Sequence, residues 1–380
     1  MQRRRFLLGL SAAGAFASFA GRTAFASADA GASSRPIRVR LFSRLDLRSA
    51  DIAGVRVDAS SSPTVITPQS APIDVSAILS DGTVIERHYA GLILAASTDG
   101  KLALYNDVDV ESYVASVMSA EISSSWHAEA LKAQAIAIRT YGLRRMRHSH
   151  PATYDVTDDT TNQVYHGVDA IVAALRTATD ATTGTIVSAA GAPADVWYHS
   201  ACGGHTASST EITGVAAPAY LQGCADADGS GRAYCAASPY YAWRNALPAS
   251  ALAHVAGVDA LASIVVSQRW PDGRVRAVHV EAVGGAAQDI DGHRFYATAI
   301  DVLGYKVVPS ALFDIDGGGD SYVISGHGVG HGVGMCQWGA QGRARAGQTA
   351  DDILAAYFPG TTVSDAFDVL GAGPAAGECL

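Results

Sequence analysis

The run Val110-Glu111-Ser112-Tyr113-Val114-Ala115-Ser116-Val117-Met118-Ser119-Ala120-Glu121 has helical spacing. Val110, Val114, Val117 and Met118 draw one apolar stripe, and the next place on that stripe is Glu121. A helix here buries a face that ends in a carboxylic acid. Partial burial penalises the ionised form and raises a carboxyl pKa. A carboxyl raised toward neutrality can give a proton to a leaving group and take one back. The bland alternative is a Glu at a fraying helix end, facing solvent or an Arg.

A second helix is expected from Trp126 to about Arg147, capped by Ser124 or Ser125. Its core stripe reads Ala128, Leu131, Ala135, Ile138 and Gly142. Lys132 and Arg139 are seven apart and share a flank beside that stripe. Two cations on one flank suit a sugar or polyanionic substrate, or simply form a solvated basic edge. The arginines at 144–147 suit the negative end of the helix dipole.

Outward from this pair the chain reads as strands. Ile37, Val39 and Leu41 alternate with Arg38 and Arg40, and further strands are expected at Val55–Val57, Thr83–Ile93 and Leu102–Tyr105. Strand-like runs return at 185–189, 195–199, 263–269, 274–283 and 321–325. A short helix near 350–357 opens on Thr349 with Asp352 as its capping-box partner and stops at Pro359-Gly360. Strands and helices cluster apart, so the expected class is α+β, strand-rich, with a central helix pair. The Ala/Gly/Pro-rich stretch 214–260 reads as a boundary or an insertion, and a sub-domain is expected over about 214–310 within a domain at 37–369.

The chain has 380 residues, 48% hydrophobic and 17% charged, which excludes general disorder. Its 39 Gly and 13 Pro favour a loop-rich fold over a helix bundle. No interior apolar run is long enough for a membrane span. The formal net charge is −9, and an acidic body argues against general nucleic-acid binding. Arg3-Arg4-Arg5-Phe6-Leu7-Leu8, a weakly apolar run to Ala20 and Ala24-Phe25-Ala26 read as an export signal over 1–26, of twin-arginine type. A small, polar leader follows at 27–36. The expected location is therefore the periplasm or cell wall, where disulfides are permitted. Cys202, Cys224 and Cys235 lie close in sequence and could supply one bridge; spacing alone does not choose the pair.

Four segments in order resemble the SpoIID/LytB family of bacterial cell-wall proteins. The first is Val110-x-x-Tyr113-Val114-x-x-Val117 through Glu121, then Trp126, Ala130-Leu131-Lys132-Ala133-Gln134-Ala135 and Arg139-Thr140-Tyr141. The second runs from Asp155 through Gln163-Val164-Tyr165-x-Gly167. The third is Tyr198-His199-Ser200-x-Cys202-Gly203-Gly204-x-Thr206. The fourth is Gly326-His327-Gly328-Val329-Gly330-His331-Gly332-Val333-Gly334-Met335-x-Gln337-x-Gly339-Ala340, continuing to Pro359-Gly360-Thr361.

The resemblance implies a lytic transglycosylase cutting the β-1,4 bond between N-acetylmuramic acid and N-acetylglucosamine in peptidoglycan. It implies Glu121 as the catalytic acid and base, Lys132 and Arg139 as needed cations, and a groove between sub-domains. Gln163, Tyr165, His199, Ser200, His327, His331 and Gln337 are the further expected substrate contacts, with glycan strands as partner and no cofactor. The family's LytB branch is described as enhancing a partner amidase, which is the alternative reading. Asp158 or Asp159 would be the second carboxylate of an ordinary hydrolase.

Some members hold zinc with Cys-x-x-x-x-His-Cys just before Gln-x-Tyr. The matching Val156, Thr161 and Asn162 are not usual zinc ligands. His199, Cys202 and His205 suggest another metal site, against the simpler reading of a groove-shaping loop. Cys202 beside a His is the cysteine-hydrolase reading. His327 and His331 have helical zinc-ligand spacing, but the five intervening and flanking glycines preclude a helix. Trp126 and Trp338 are expected either to stack on sugar rings or to pack in the interior.

Overall fold

The computed structural model describes residues 35–68, 72–148 and 153–371. The expected export signal, nearly all of the leader and Cys379 lie outside the described residues. The class is α+β.

The N-terminal third builds two sheets. One is five-stranded, in the order Thr64–Ile66, Leu92–Thr98, Lys101–Val108, Ile37–Leu41, Val156–Thr157. The other is four-stranded, in the order Val55–Asp58, Leu47–Ile52, Ile73–Leu79, Val84–Tyr89. Ile37, Val39 and Leu41 point inward as their alternation requires. The single run expected at Thr83–Ile93 is two strands. Gly91 turns between them at φ +78°, where a Cβ would lie 2.1 Å from the Asp107 carbonyl oxygen.

Helix α1 spans Val110–Glu121, with the Asp109 carboxylate accepting the Ser112 N–H. Helix α2 spans Ala128–His148. It starts two residues later than expected and neither Ser124 nor Ser125 caps it; the ring Nδ1 of His127 accepts the Glu129 N–H instead. α2 is buried on two faces. Leu131, Ala135 and Ile138 join α1 and the first sheets in one core, while Ala130, Ala133, Ile136 and Ala137 join a second. That second core is completed by Val333, Met335, Ile353, Leu354 and Tyr357 from the C-terminal segment.

A third core, including Leu252, Ile264, Val278, Phe295, Phe313 and Ile324, is separate from both. Its sheets are Ala242–Pro248 with Ser321–His327 and Phe313–Gly318, and Leu261–Arg269 with Val275–Ala282 and Ala287–Asp291. The helix at 350–357 and its Thr349–Asp352 capping box form as read.

The long-range step that matters for the site is small. Tyr198–His199 pairs in parallel with Met335–Cys336, Tyr198 opposite Met335. The third and fourth motifs are thereby zipped together. The glycines of the fourth motif permit this approach. A Cβ on Gly328 would sit 2.4 Å from the Ala201 carbonyl oxygen, and one on Gly334 would sit 2.2 Å from that of Trp197.

Candidate functional site

Glu121 is the last residue of α1, at the mouth of the loop leading to α2. Tyr113, Val117 and Glu121 follow one i, i+4 ridge, and the first two are fully buried. Two strangers in sequence meet Glu121. The Val164 N–H donates to its Oε1 at 3.2 Å, and the Gln337 amide donates to its backbone carbonyl at 3.4 Å. Burial pushes the Glu121 pKa up, and the Val164 N–H opposes this only in part. No charged neighbour enters that balance.

Below the acid lies a tyrosine network. The Tyr113 hydroxyl donates to Gln163 Oε1 at 2.7 Å, and Gln163 Nε2 donates to the Tyr198 hydroxyl at 3.1 Å. Burial raises both tyrosines well above the usual phenol range, so they stay protonated. Gln163 is therefore spent on the interior and is not a sugar contact. Tyr165 is also interior, stacked on Tyr113 with ring centroids 5.5 Å apart and donating to Asn106. Tyr113 and Tyr198 are the site residues that sequence reasoning did not single out. The i, i+4 ridge to Glu121 was the available signal for Tyr113, and its place at the head of the third motif was that for Tyr198.

The two expected cations part company. Lys132 is half-buried and bonded to Glu129 at 2.8 Å, one turn back on α2. Arg139 is inside the protein, its side chain only 1% exposed. It grips Glu111 with two nitrogens, Nε at 2.9 Å and Nη2 at 2.5 Å, and donates to the Thr185 carbonyl at 3.1 Å. It ties α2 to the start of α1 and has no surface for a substrate. The shared flank inferred from spacing exists, but one end of it is roofed.

The histidines divide similarly. His331 Nδ1 accepts the Val333 N–H at 3.1 Å and its Nε2 donates to the Tyr198 carbonyl at 2.9 Å. Those partners fix the neutral tautomer, and burial lowers its pKa to about 4. His199 is buried, bonded through Nδ1 to the Val333 carbonyl, and burial followed by His331 lowers its pKa well below the usual imidazole range. It does not reach a glycan. His327 is exposed and bonded to the Tyr241 carbonyl, on the sheet of the third core. The half-buried Ser200 accepts the Trp338 N–H on its carbonyl. Trp126 and Trp338 pack on each other with centroids 4.9 Å apart.

The carboxylates of 158 and 159 are occupied. Asp158 is buried and accepts the N–H groups of Phe42 and Ser43, the Ser43 hydroxyl and Arg87. Asp159 is paired with Arg44 at 2.6 Å. Burial pushes Asp159 up, but hydrogen bonds from Thr161, Thr157 and Ser43 outweigh it and hold the carboxyl below its ordinary range. Phe42, Arg44, Arg87, Asp158, Asp159 and Val164 are among the residues lining a cleft of about 270 Å³. Val164 thus belongs both to this wall and to the Glu121 carboxyl. Cys202 is buried and His205 turns its Nδ1 to the Thr206 carbonyl, so the pair is not a nucleophile and its base.

This is a mixed α+β protein with a half-buried carboxyl at the end of a central helix, held by a loop and a C-terminal glutamine. The stage II sporulation protein family model (SpoIID) matches residues 98–188, which span both helices. An uncharacterized protein of Brachyspira hyodysenteriae is 32% identical over 283 residues, covering 73% of this chain and 72% of that one. Stage II sporulation protein D of Bacillus subtilis is 28% identical over 284 residues, covering 68% of this chain and 76% of that one. The amidase enhancer of Bacillus subtilis is 25% identical over 291 residues, and the match covers 65% of this chain and 40% of that one. The chain belongs to the SpoIID/LytB family, and its function is cell-wall related.

Proposed function

We propose that the protein is an exported lytic transglycosylase of peptidoglycan glycan strands, with Glu121 as its only acid and base. The observation that carries this reading is the lone, burial-raised carboxyl of Glu121, with no second carboxylate acting on it. A glycosidase working through a paired nucleophile or base needs two carboxylates at a set separation. A lytic transglycosylase needs one.

Protonated Glu121 gives its proton to the glycosidic oxygen, and the C1–O bond breaks. The sugar's 2-acetamido group carries the positive charge that develops at C1. The muramyl 6-hydroxyl attacks C1, and Glu121, now ionised, takes the hydroxyl proton. The products are a 1,6-anhydro end and a free 4-hydroxyl, and Glu121 is restored. Partial burial of the carboxyl favours the intramolecular hydroxyl over water. Lys132, Ser200 and His327 are expected contacts that retain exposed surface, and Gln337 positions the helix end that carries the acid. No helix among the described residues is long and apolar enough to cross a membrane, in keeping with a wall or periplasmic location.

The test compares the wild type with Glu121→Gln on peptide-free glycan strands, with products read by mass spectrometry. The expected result is a 1,6-anhydro product that falls by about 10³-fold in the variant with folding intact. A reducing-end product would make the protein a hydrolase. No cleavage by the wild type, with or without stem peptides, would favour a non-catalytic protein that stimulates a wall amidase. The general-acid role also sets the pH response. Cleavage should fall as pH rises through the Glu121 pKa, because the proton to be donated is lost.

A further inference from the structure

At the start of helix Gln337–Arg345, four side chains distant in sequence meet. Cys202, Asp226, Cys235 and Cys336 bring three sulfurs and a carboxylate oxygen within 4.8 Å of one another, and all four residues are buried. We propose that these four residues form a mononuclear Cys3Asp site for a thiophilic divalent cation, zinc foremost, which fastens three loops to one another.

The spacing suits one tetrahedral ion. Zinc–sulfur bonds of about 2.3 Å place ligand sulfurs about 3.8 Å apart. The sulfurs of Cys202 and Cys235 are 3.6 Å apart, far beyond a disulfide bond. Backbone donors are already turned on the sulfurs. Cys336 Sγ accepts the N–H groups of Cys202 and Gly339, each at 3.2 Å, and Cys202 Sγ accepts that of Gly204 at 3.3 Å. The turn that aims the last of these needs left-handed backbone at Gly203 and Gly204, φ +78° and +112°. Such N–H groups stabilise thiolates, the ligand form of cysteine.

Asp226 is oriented as a one-oxygen ligand. Its Oδ1 accepts the Tyr357 hydroxyl at 2.8 Å and the Arg343 guanidinium at 3.1 Å. Its Oδ2 remains on the sulfur side, 3.2 Å from Cys202 Sγ. Arg343 also offsets part of the negative charge that three thiolates and a carboxylate bring to a dication. On loading, each thiol releases its proton to water and the ion replaces the three protons. Four protein ligands leave no open position, so the role is structural. The location is distinct from Val156, Thr161 and Asn162 beside the first sheet. Cys224 stays outside the set, bonded instead to Thr206 and the Ala356 carbonyl.

Untagged protein, purified without chelator, should carry about one zinc per chain by plasma mass spectrometry. All five cysteines should titrate as thiols in denaturant. Cobalt(II) exchange should give thiolate-to-cobalt charge transfer and intense tetrahedral visible bands. Cys235→Ser should lower metal retention by at least about 100-fold, whereas Cys224→Ser should leave it unchanged. Asp226→Asn should keep the sulfur charge-transfer band and shift the visible bands; unshifted bands would remove Asp226 from the site. If Cys235→Ser does not fold, wild-type stoichiometry and the cobalt spectrum still decide. A wild type that binds neither zinc nor cobalt, or a mapped disulfide from Cys202 to Cys235 or Cys336, would overturn the proposal. None of these readouts depends on glycan cleavage.

Discussion

Glu121 and Arg139 sit one helix apart and show opposite uses of a buried charge. Burial raises the Glu121 pKa, so the folded chain holds that proton more tightly than the unfolded chain does. The stabilisation is complete below the unfolded pKa and is lost as pH rises through the folded value. Glu121→Gln cannot ionise. It should match the wild type at pH 4 and exceed it at pH 8, by about 1–3 °C in melting temperature. Equal melting at both pH values would mean a solvated carboxyl. Arg139 is paired rather than poised. Arg139→Met should cost about 3 kcal/mol in urea unfolding, because Glu111 loses its partner. Adding Glu111→Leu should recover most of that loss, and glycan cleavage per folded molecule should change little. A binding role for Arg139 would instead raise KM without loss of stability. The apolar stripe made Glu121 legible, since a period of 3.6 is written in the chain. The roof over Arg139 was not legible, because Glu111 and the 179–185 turn reach it only through packing.

At the scale of elements, α2 shows what patterning leaves open. Leu131 and Ile138 mark one buried face plainly, but Ala130, Ala133 and Ala137 mark a second that reads as mere helix-forming composition. Alanine is small enough to suit either a surface or a close contact. Glycine carries the same ambiguity in the helix Gln337–Arg345. There a Cβ on Gly339 would lie 2.1 Å from the Tyr357 hydroxyl oxygen and 2.2 Å from Asp226 Oδ2. In a free helix Gly→Ala gains about 1 kcal/mol. Gly339→Ala should instead destabilise the protein by about 1–3 kcal/mol through overpacking, as read by thermal or urea unfolding. A more stable variant would mean that the helix stands further from Asp226 than described. The strands at 47–52 and 73–79 escaped the sequence reading; Ser49 and Ala50 are both buried and break the alternation of the first, whereas Ile73, Val75 and Ala77 do alternate with Asp74 and Ser76 in the second.

Over the whole molecule, three cores divide the work. The first two share α2 and frame Glu121. The third, near residues 243–324, is built from its own strands and two helices. Among the ties that cross to it, the buried Arg274 donates to the carbonyls of Cys202 and His205, each at 3.0 Å. Phe295→Ala should open a cavity in the third core and cost it about 3–5 kcal/mol. Hydrogen exchange should quicken across that core while the amides of α1 and α2 keep their protection. Uniform loss of protection would mean one cooperative unit.

What the chain determined by itself is local or motif-borne: the α+β class, the two central helices, the capped helix at 350–357, the acid at the end of α1 and the family. Each rests on spacing within a few turns or on residue order, which folding does not alter. What only the tertiary structure decided is which distant groups share a place. Val164 and Gln337 reach Glu121, Arg139 is roofed, and Cys202, Asp226, Cys235 and Cys336 meet. The physical reason is that these meetings join segments far apart in the chain; Gln337, Cys202 and Cys336 are brought in by the pairing of Tyr198–His199 with Met335–Cys336 across an intervening core. Such contacts are selected by packing and close backbone approach, and no local periodicity encodes them.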